Sequence, residues 1–116
     1  MTVHAFTVSK DEEVLETLQR AVTDAGIQYA TVSLIGAVTG ARVSIMKKDD
    51  ALVDYIRAFD QPMELSGTGE VVDGKLHAHV TLYGEDGTFG GHLHTASVAE
   101  FFVHAYVTEV GAPQSS

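Results

Sequence analysis

Apolar and polar residues alternate with period two along most of this chain, the signature of strands with one buried face. Val3–Val8, Gln28–Ile35, Ala41–Met46, Met63–Val72, Lys75–Tyr83, Phe89–His94 and Val98–Val110 all read as strands. Gly, Asp and a Lys-Lys-Asp-Asp run separate them. One segment breaks the pattern. Val14, Leu15, Leu18, Val22 and Ala25 recur at helical spacing behind Ser9 and Glu12, which have capping-box spacing, and Gly26 supplies a left-handed stop. The spacing predicts a helix over Lys10–Ala25, with Asp11, Glu12 and Glu13 at its positive end. Leu52–Phe59 fits either period, because Leu52, Tyr55, Ile56 and Phe59 also have helical spacing. Together these elements predict an α+β domain: a mostly antiparallel sheet covered by one amphipathic helix.

At 116 residues the chain has room for one domain, expected over residues 1–110, with a flexible tail at 111–116. No apolar run approaches the roughly 18 residues of a membrane span. The first residues lack a basic segment followed by an apolar one, so a cytoplasmic location is expected. The absence of cysteine excludes disulfides, thiolate metal sites and cysteine nucleophiles. Sixteen acidic against seven basic residues leave a net charge of −9. A surface this negative repels phosphate backbones, which disfavours direct nucleic-acid binding.

The candidate chemistry lies in KLHAHVTLYGEDGTFGGHLHT, which holds four of the six histidines. His77 and His79 alternate with Leu76, Ala78 and Val80, so they share the polar face of their strand, about 6–7 Å apart at Cα. The turn Gly84-Glu85-Asp86-Gly87 suggests a hairpin. Closed symmetrically about Glu85-Asp86, it sets His79 opposite His92 and His77 opposite His94, gathering four imidazoles on one face. A slip of one residue would send His92 and His94 to the other face. Neutral imidazoles suit a divalent metal, and three of them around zinc leave a fourth position open. The alternative is a polar strand face whose histidines hydrogen-bond to neighbours or line a subunit interface. Gly90-Gly91 suggests a bulge or a close backbone approach beside them. Thr81 and Tyr83 lie on the same face and, with His94, are candidates to contact a ligand. Glu85 and Asp86 read as turn formers, His4 as polar surface, and His104, between Phe102 and Tyr106, as a core or interface histidine.

The stretch LHAHVTLYGEDGTFGGHLHTASV, with Val32-Ser33-Leu34-Ile35-Gly36-Ala37-Val38, resembles the plants-and-prokaryotes conserved (PPC) domain over nearly the whole chain. The resemblance implies an α+β fold assembled as a homotrimer, with a divalent metal, zinc first among the candidates, on His77, His79 and His92. Stand-alone prokaryotic members are often described as DNA-binding proteins. More distantly the fold resembles acetolactate decarboxylase, a zinc enzyme with a His-x-His pair and a further histidine. That likeness implies a small carbonyl or carboxylate compound as ligand. The alternative is a regulatory or scaffolding module acting through protein contacts. The chain departs from the family in three places. It has no Arg-Gly-Arg-Pro hook. Asp60–Leu65 lacks the arginine of the plant partner-binding segment, and Phe101 and Val103 stand where the family carries Thr-x-Glu. His94 is an addition to the family pattern.

Overall fold

The computed structural model describes residues 2–115; Met1 and Ser116, at the two ends of the expected domain and tail, lie outside it. Its elements are β1 (Val3–Val8), α1 (Val14–Asp24), β2 (Ala30–Val38), β3 (Gly40–Lys47), β4 (Asp50–Phe59), β5 (Met63–Val72), β6 (Lys75–Gly84), β7 (Gly87–Ser97) and β8 (Val103–Glu109). The strands form one eight-stranded sheet in the order β1-β8-β2-β5-β6-β7-β3-β4, and every neighbouring pair is antiparallel. Residues 111–115 carry neither helix nor strand. This is the α+β architecture the periodicity predicts.

One face of the sheet is dry. Val32 and Leu34 of β2, Leu65 and Val71 of β5, Ala78, Val80 and Leu82 of β6, and Val103, Ala105 and Val107 of β8 are all buried there. Val14, Leu18 and Val22 of α1 complete this core from above. Gln19 ties the helix down at a second point. Its amide donates to the Gly74 carbonyl at 2.9 Å and accepts from the Leu76 amide at 2.9 Å, clamping the β5–β6 turn. That turn is Asp73-Gly74, with φ of 53° and 80°, the left-handed pair a two-residue hairpin loop demands. The clamp therefore fixes the start of the strand that carries His77 and His79.

Four expectations need correction. The helix begins at Val14 rather than Lys10, because Asp11 takes a left-handed φ of 69° that no helix accommodates. Ser9 and Glu12 do pair, Ser9 N–H donating to Glu12 Oε1 at 2.7 Å, but they close the preceding turn. The cap is Glu13: Oε1 accepts from the Glu16 amide at 2.8 Å, and Oε2 from the Leu15 and Ala96 amides at 3.0 and 2.8 Å. The stop at Gly26 is as expected, with φ 69° and Ile27 N–H returning to the Val22 carbonyl. Val98–Val110 is not one strand. Val98 pairs by backbone with Asp11 and Glu12, and the Phe102 carbonyl accepts from Ala37 N–H, so β8 starts only at Val103. Gly36 makes that approach possible, since a Cβ there would overlap Phe102 and Val103.

Leu52–Phe59 resolves as strand. It pairs with β3 from Ala41↔Phe59 to Met46↔Asp54, and its period is obscured because both of its faces carry apolar residues and both are exposed. His4 is not simply polar surface. It is half-buried, stacks on Phe6 with ring centres 5.7 Å apart, and its Nε2 lies 2.9 Å from Glu109 Oε2.

Replacing Glu13 with Ala removes the helix cap and leaves the Ala96 amide without its acceptor. We expect a loss of about 1–2 kcal/mol, read as a fall of roughly 5–10 °C in Tm. Glu12→Ala, which frees one exposed amide, should cost about 0.5 kcal/mol. Thermal denaturation of the two variants checks the ranking.

Candidate functional site

Among the described residues no helix covers the other face of the sheet, and the histidines stand there. The β6–β7 hairpin closes through the two-residue turn Glu85-Asp86, with Gly84 opposite Gly87 and the register regular through Thr81↔Gly90 and Val80↔Gly91 to His79↔His92. This is the pairing that places His92 on the face of His77 and His79. The three rings form a nearly equilateral triangle, with centres 6.2 Å apart for His77–His79, 6.2 Å for His77–His92 and 5.9 Å for His79–His92. His94 stands 5.2 Å from His92.

The glycine pair does not form a bulge. Gly91 allows a close approach instead, since a Cβ there would overlap the Ser44 carbonyl of β3. The bulge sits three residues on. β7 pairs Leu93 with Val43 and Thr95 with Arg42, so His94 is the extra residue. After it the alternation is reset, with Ala96 turned into the core and Thr95 left exposed. The ladder to β6 stops at His79↔His92, so His94 does not face His77 across the hairpin as regular pairing would require. Its Nε2 is held by Ser44 Oγ at 2.8 Å, and Ser44 is buried, with 5 % of its surface exposed.

The candidate residues divide between three places. Thr81, His79, His92 and His94 line one hollow, together with Ser44 and Asp54. His77 opens onto a shallower neighbour beside Thr68 and Glu70, its Nε2 3.6 Å from Glu70 Oε2. Tyr83 is elsewhere. Four residues along the strand from His79, about 13 Å away, it sits 3.0 Å from Ser66 Oγ and lines a separate hollow with Glu64, Glu85, Glu100 and Phe101. His104 stays on the outer face, its ring stacked 4.2 Å from that of Phe102. Ser44, Asp54 and Glu70 escaped the sequence reading. The strand carrying Asp54 had an ambiguous period, and none of the three lies near a histidine in sequence.

Burial first, then the positive potential of His94, His79 and His77 when protonated, holds the His92 imidazole below its ordinary value of 6.5; Asp54 pulls weakly the other way. His92 is therefore neutral, and a competent nitrogen donor, at pH 7. Two imidazoles that share one ion at about 2.0–2.1 Å have ring centres about 5 Å apart. The triangle is slightly wider, and each ring must move inward by about half an ångström to close it. Among the described residues no group of three or more His, Asp or Glu side chains already stands at metal-holding geometry. The donor set suits a metal such as zinc in kind, and the rings sit in the open, where that movement meets no packed core.

A one-sided antiparallel sheet with a His-x-His strand opposite a Gly-Gly-His strand defines a recognisable class of small domains. The profile of the Plants and Prokaryotes Conserved (PCC) domain matches residues 1–111, and the chain belongs to that family. Its fold is similar to that of a plant- and prokaryote-conserved protein of Pyrococcus horikoshii, at 26 % identity and a TM-score of 0.81, over 96 % of this chain and 80 % of that one. A metal-containing protein of Archaeoglobus fulgidus matches at 23 % identity and a TM-score of 0.80, over 97 % and 81 %. An α-acetolactate decarboxylase of Bacillus subtilis shares the fold at 10 % identity and a TM-score of 0.67; this chain covers about half of it, 53 %, with 94 % of its own length. No curated protein matches the chain.

The lowered His92 value has a sign that can be checked. The unfolded chain takes up this proton first as pH falls below 6.5, so this group's contribution to stability diminishes through that window. By NMR the His92 ring should titrate below 6.5 in the folded protein. His94→Ala should raise its midpoint without restoring the ordinary value, because burial is the larger cause. A midpoint at or above 6.5 in the unaltered protein would contradict this account.

Proposed function

We propose that the chain is a homotrimeric metal-binding member of its family, holding one divalent ion, zinc foremost, on His77, His79 and His92. The triangle of three exposed or half-exposed imidazoles, with no Lys or Arg among the described residues that line either histidine hollow, carries the reading. Glu70 Oε2, 3.6 Å from His77 Nε2, would accept a hydrogen bond from that ring N–H after a small closure and so fix the tautomer of a ligating imidazole. A bound ion with an open position would polarise the oxygen of a small carbonyl or carboxylate compound. Thr81 and the Ser44-held His94 flank the place where such a compound would sit, and their hydroxyl and imidazole can orient it. Tyr83 lies too far along β6 to share that role and is not assigned to it.

The metal content of the A. fulgidus neighbour supports this reading. A Bacteroides thetaiotaomicron neighbour with a proposed DNA-binding role, at 19 % identity, favours another. Charge weighs against carrying that role over: three copies of a chain at −9 present a strongly negative assembly. The uncovered face, with Ile35 of β2, Tyr106 of β8 and Phe102 just before β8 exposed, is the surface a trimer would bury.

Elemental analysis of untagged protein purified without chelator should find about one zinc or similar ion per chain. His79→Ala should lower this to near zero while sedimentation still reports a particle of three chains. Protein that neither carries metal nor takes up added zinc would overturn the reading, and the search would turn to protein partners.

A further inference from the structure

On the side of β6 away from Asp54, a further hollow of about 510 Å³ crosses β6, β5, β2 and β8. That is within the roughly 300–1,000 Å³ of small-ligand sites. His79 and Thr81 line both this hollow and the one beside Asp54. Cross-strand partners lay out its floor. His92 pairs with His79, His79 with Thr68, Thr68 with Ser33, and Ser33 with Tyr106, one residue from each of five neighbouring strands. Thr81 and Ser66 are partners on the same face, two residues along. At a strand spacing of about 4.8 Å, Thr68 lies one step from His79 and Ser33 two steps, about 10 Å. Gly67 and Gly69 flank Thr68. A Cβ on either would overlap the His79 or the His77 carbonyl, so this Gly-Thr-Gly run lets β5 lie close against the histidine strand.

The lining selects a chemistry. No Asp, Glu, Lys or Arg among the described residues lines this hollow, whereas Ser33, Ser66, Thr68, Thr81 and Tyr106 bring five hydroxyls to it. Ser66 Oγ lies 3.0 Å from the Tyr83 hydroxyl; the other four have no side-chain partner among the described residues. A hydroxyl both donates and accepts, so a row of them pairs best with another row of hydroxyls. An apolar ligand would leave them without partners, and a charged one would find no counter-charge. Tyr106 and Ile35, both exposed, give the carbon skeleton of such a ligand an apolar rest. At the histidine end stand Asp54 and Glu70, whose charge disfavours a carboxylate head group and favours a neutral carbonyl.

We infer that the compound whose oxygen meets the histidine-bound ion is a neutral sugar of monosaccharide size, its carbonyl at the histidines and its hydroxyls laid along Thr81, Thr68 and Ser33. The place of the carbonyl rests on the function proposed above; the sugar shelf rests on the hydroxyl rows alone. Ile35 and Tyr106 also belong to the face a trimer would bury, so the shelf lies at the margin of that contact.

The probes are D-fructose, D-ribose and D-glucose, with D-sorbitol, which lacks a carbonyl, and D-gluconate, which carries a charge. Each is titrated into the isotope-labelled full chain, with and without zinc, and read by NMR. The amides of Ser33, Thr68 and Thr81 should shift with at least one of the three sugars, and gluconate should bind more weakly. Ser33→Ala and Thr68→Val each remove one exposed hydroxyl, and circular dichroism checks their fold. Each should weaken sugar binding about fivefold, with zinc content unchanged. Zinc should tighten binding of that sugar about tenfold and leave sorbitol binding as it was. No shift at these amides with any of the three sugars, unaltered affinity in both variants, or tighter binding of gluconate would overturn the shelf. Sugar binding indifferent to zinc would overturn the place of the carbonyl. If the protein takes up no zinc, the metal reading fails, while the Ser33 and Thr68 amides still judge the shelf.

Discussion

The two-residue turn at Glu85-Asp86 sets the pairing of β6 with β7, and the chemistry of the outer face depends on that pairing. Side chains alternate across a strand, so the register decides whether His92 joins His79 or disappears beneath the sheet. The Gly84↔Gly87 closure carries the decision five residues up the hairpin to His79↔His92 without a break. The Gln19 clamp on the Asp73-Gly74 turn serves the same end from the other side of β6. The strand that bears two of the three imidazoles is thus fixed at both of its turns, one by loop geometry and one by the helix.

The backbone around His92 is shaped by close approaches that residue type alone makes possible. Gly91 lets the Ser44 carbonyl of β3 reach β7 where any side chain would hold it off. The bulge at His94 then returns the strand to the core pattern in time for Ala96 and Val98 to be buried. One extra residue therefore keeps two incompatible demands apart: histidines outward before it, core alanine inward after it. The Ser44–His94 hydrogen bond seals the joint between them.

Local signals in the sequence account for what could be read from it. A Gly-Glu-Asp-Gly turn and unbroken alternation in β6 are enough to put His77, His79 and His92 on one face, and Gly26 marks the helix end. The helix start was hidden because Glu12 and Glu13 look alike in sequence. Only the reach of the Glu13 carboxylate to Ala96, on a distant strand, makes it the cap. β4 lacked a readable period because neither of its faces is buried within one chain. The bulge at His94, and the arrival of Ser44 and Asp54 beside the histidines, follow from how β3 meets β7, a non-local pairing that no window of sequence contains. Tyr83 shows the converse: sharing a face with the histidines did not bring it near them.

Placing α1, the one helix among the described residues, on one side of the sheet divides the residues of each strand into two populations. Those facing α1 are constrained by volume, and changes there register as lost stability. Those facing the other way bear almost no packing burden. Ile35 and Tyr106 are exposed on that side, while Val80, Leu82 and Val107 are buried on the other. A domain built this way can acquire, lose or relocate a ligand site by substitution on one surface while its folding problem stays the same. Proteins at 10–26 % identity to this chain share that backbone.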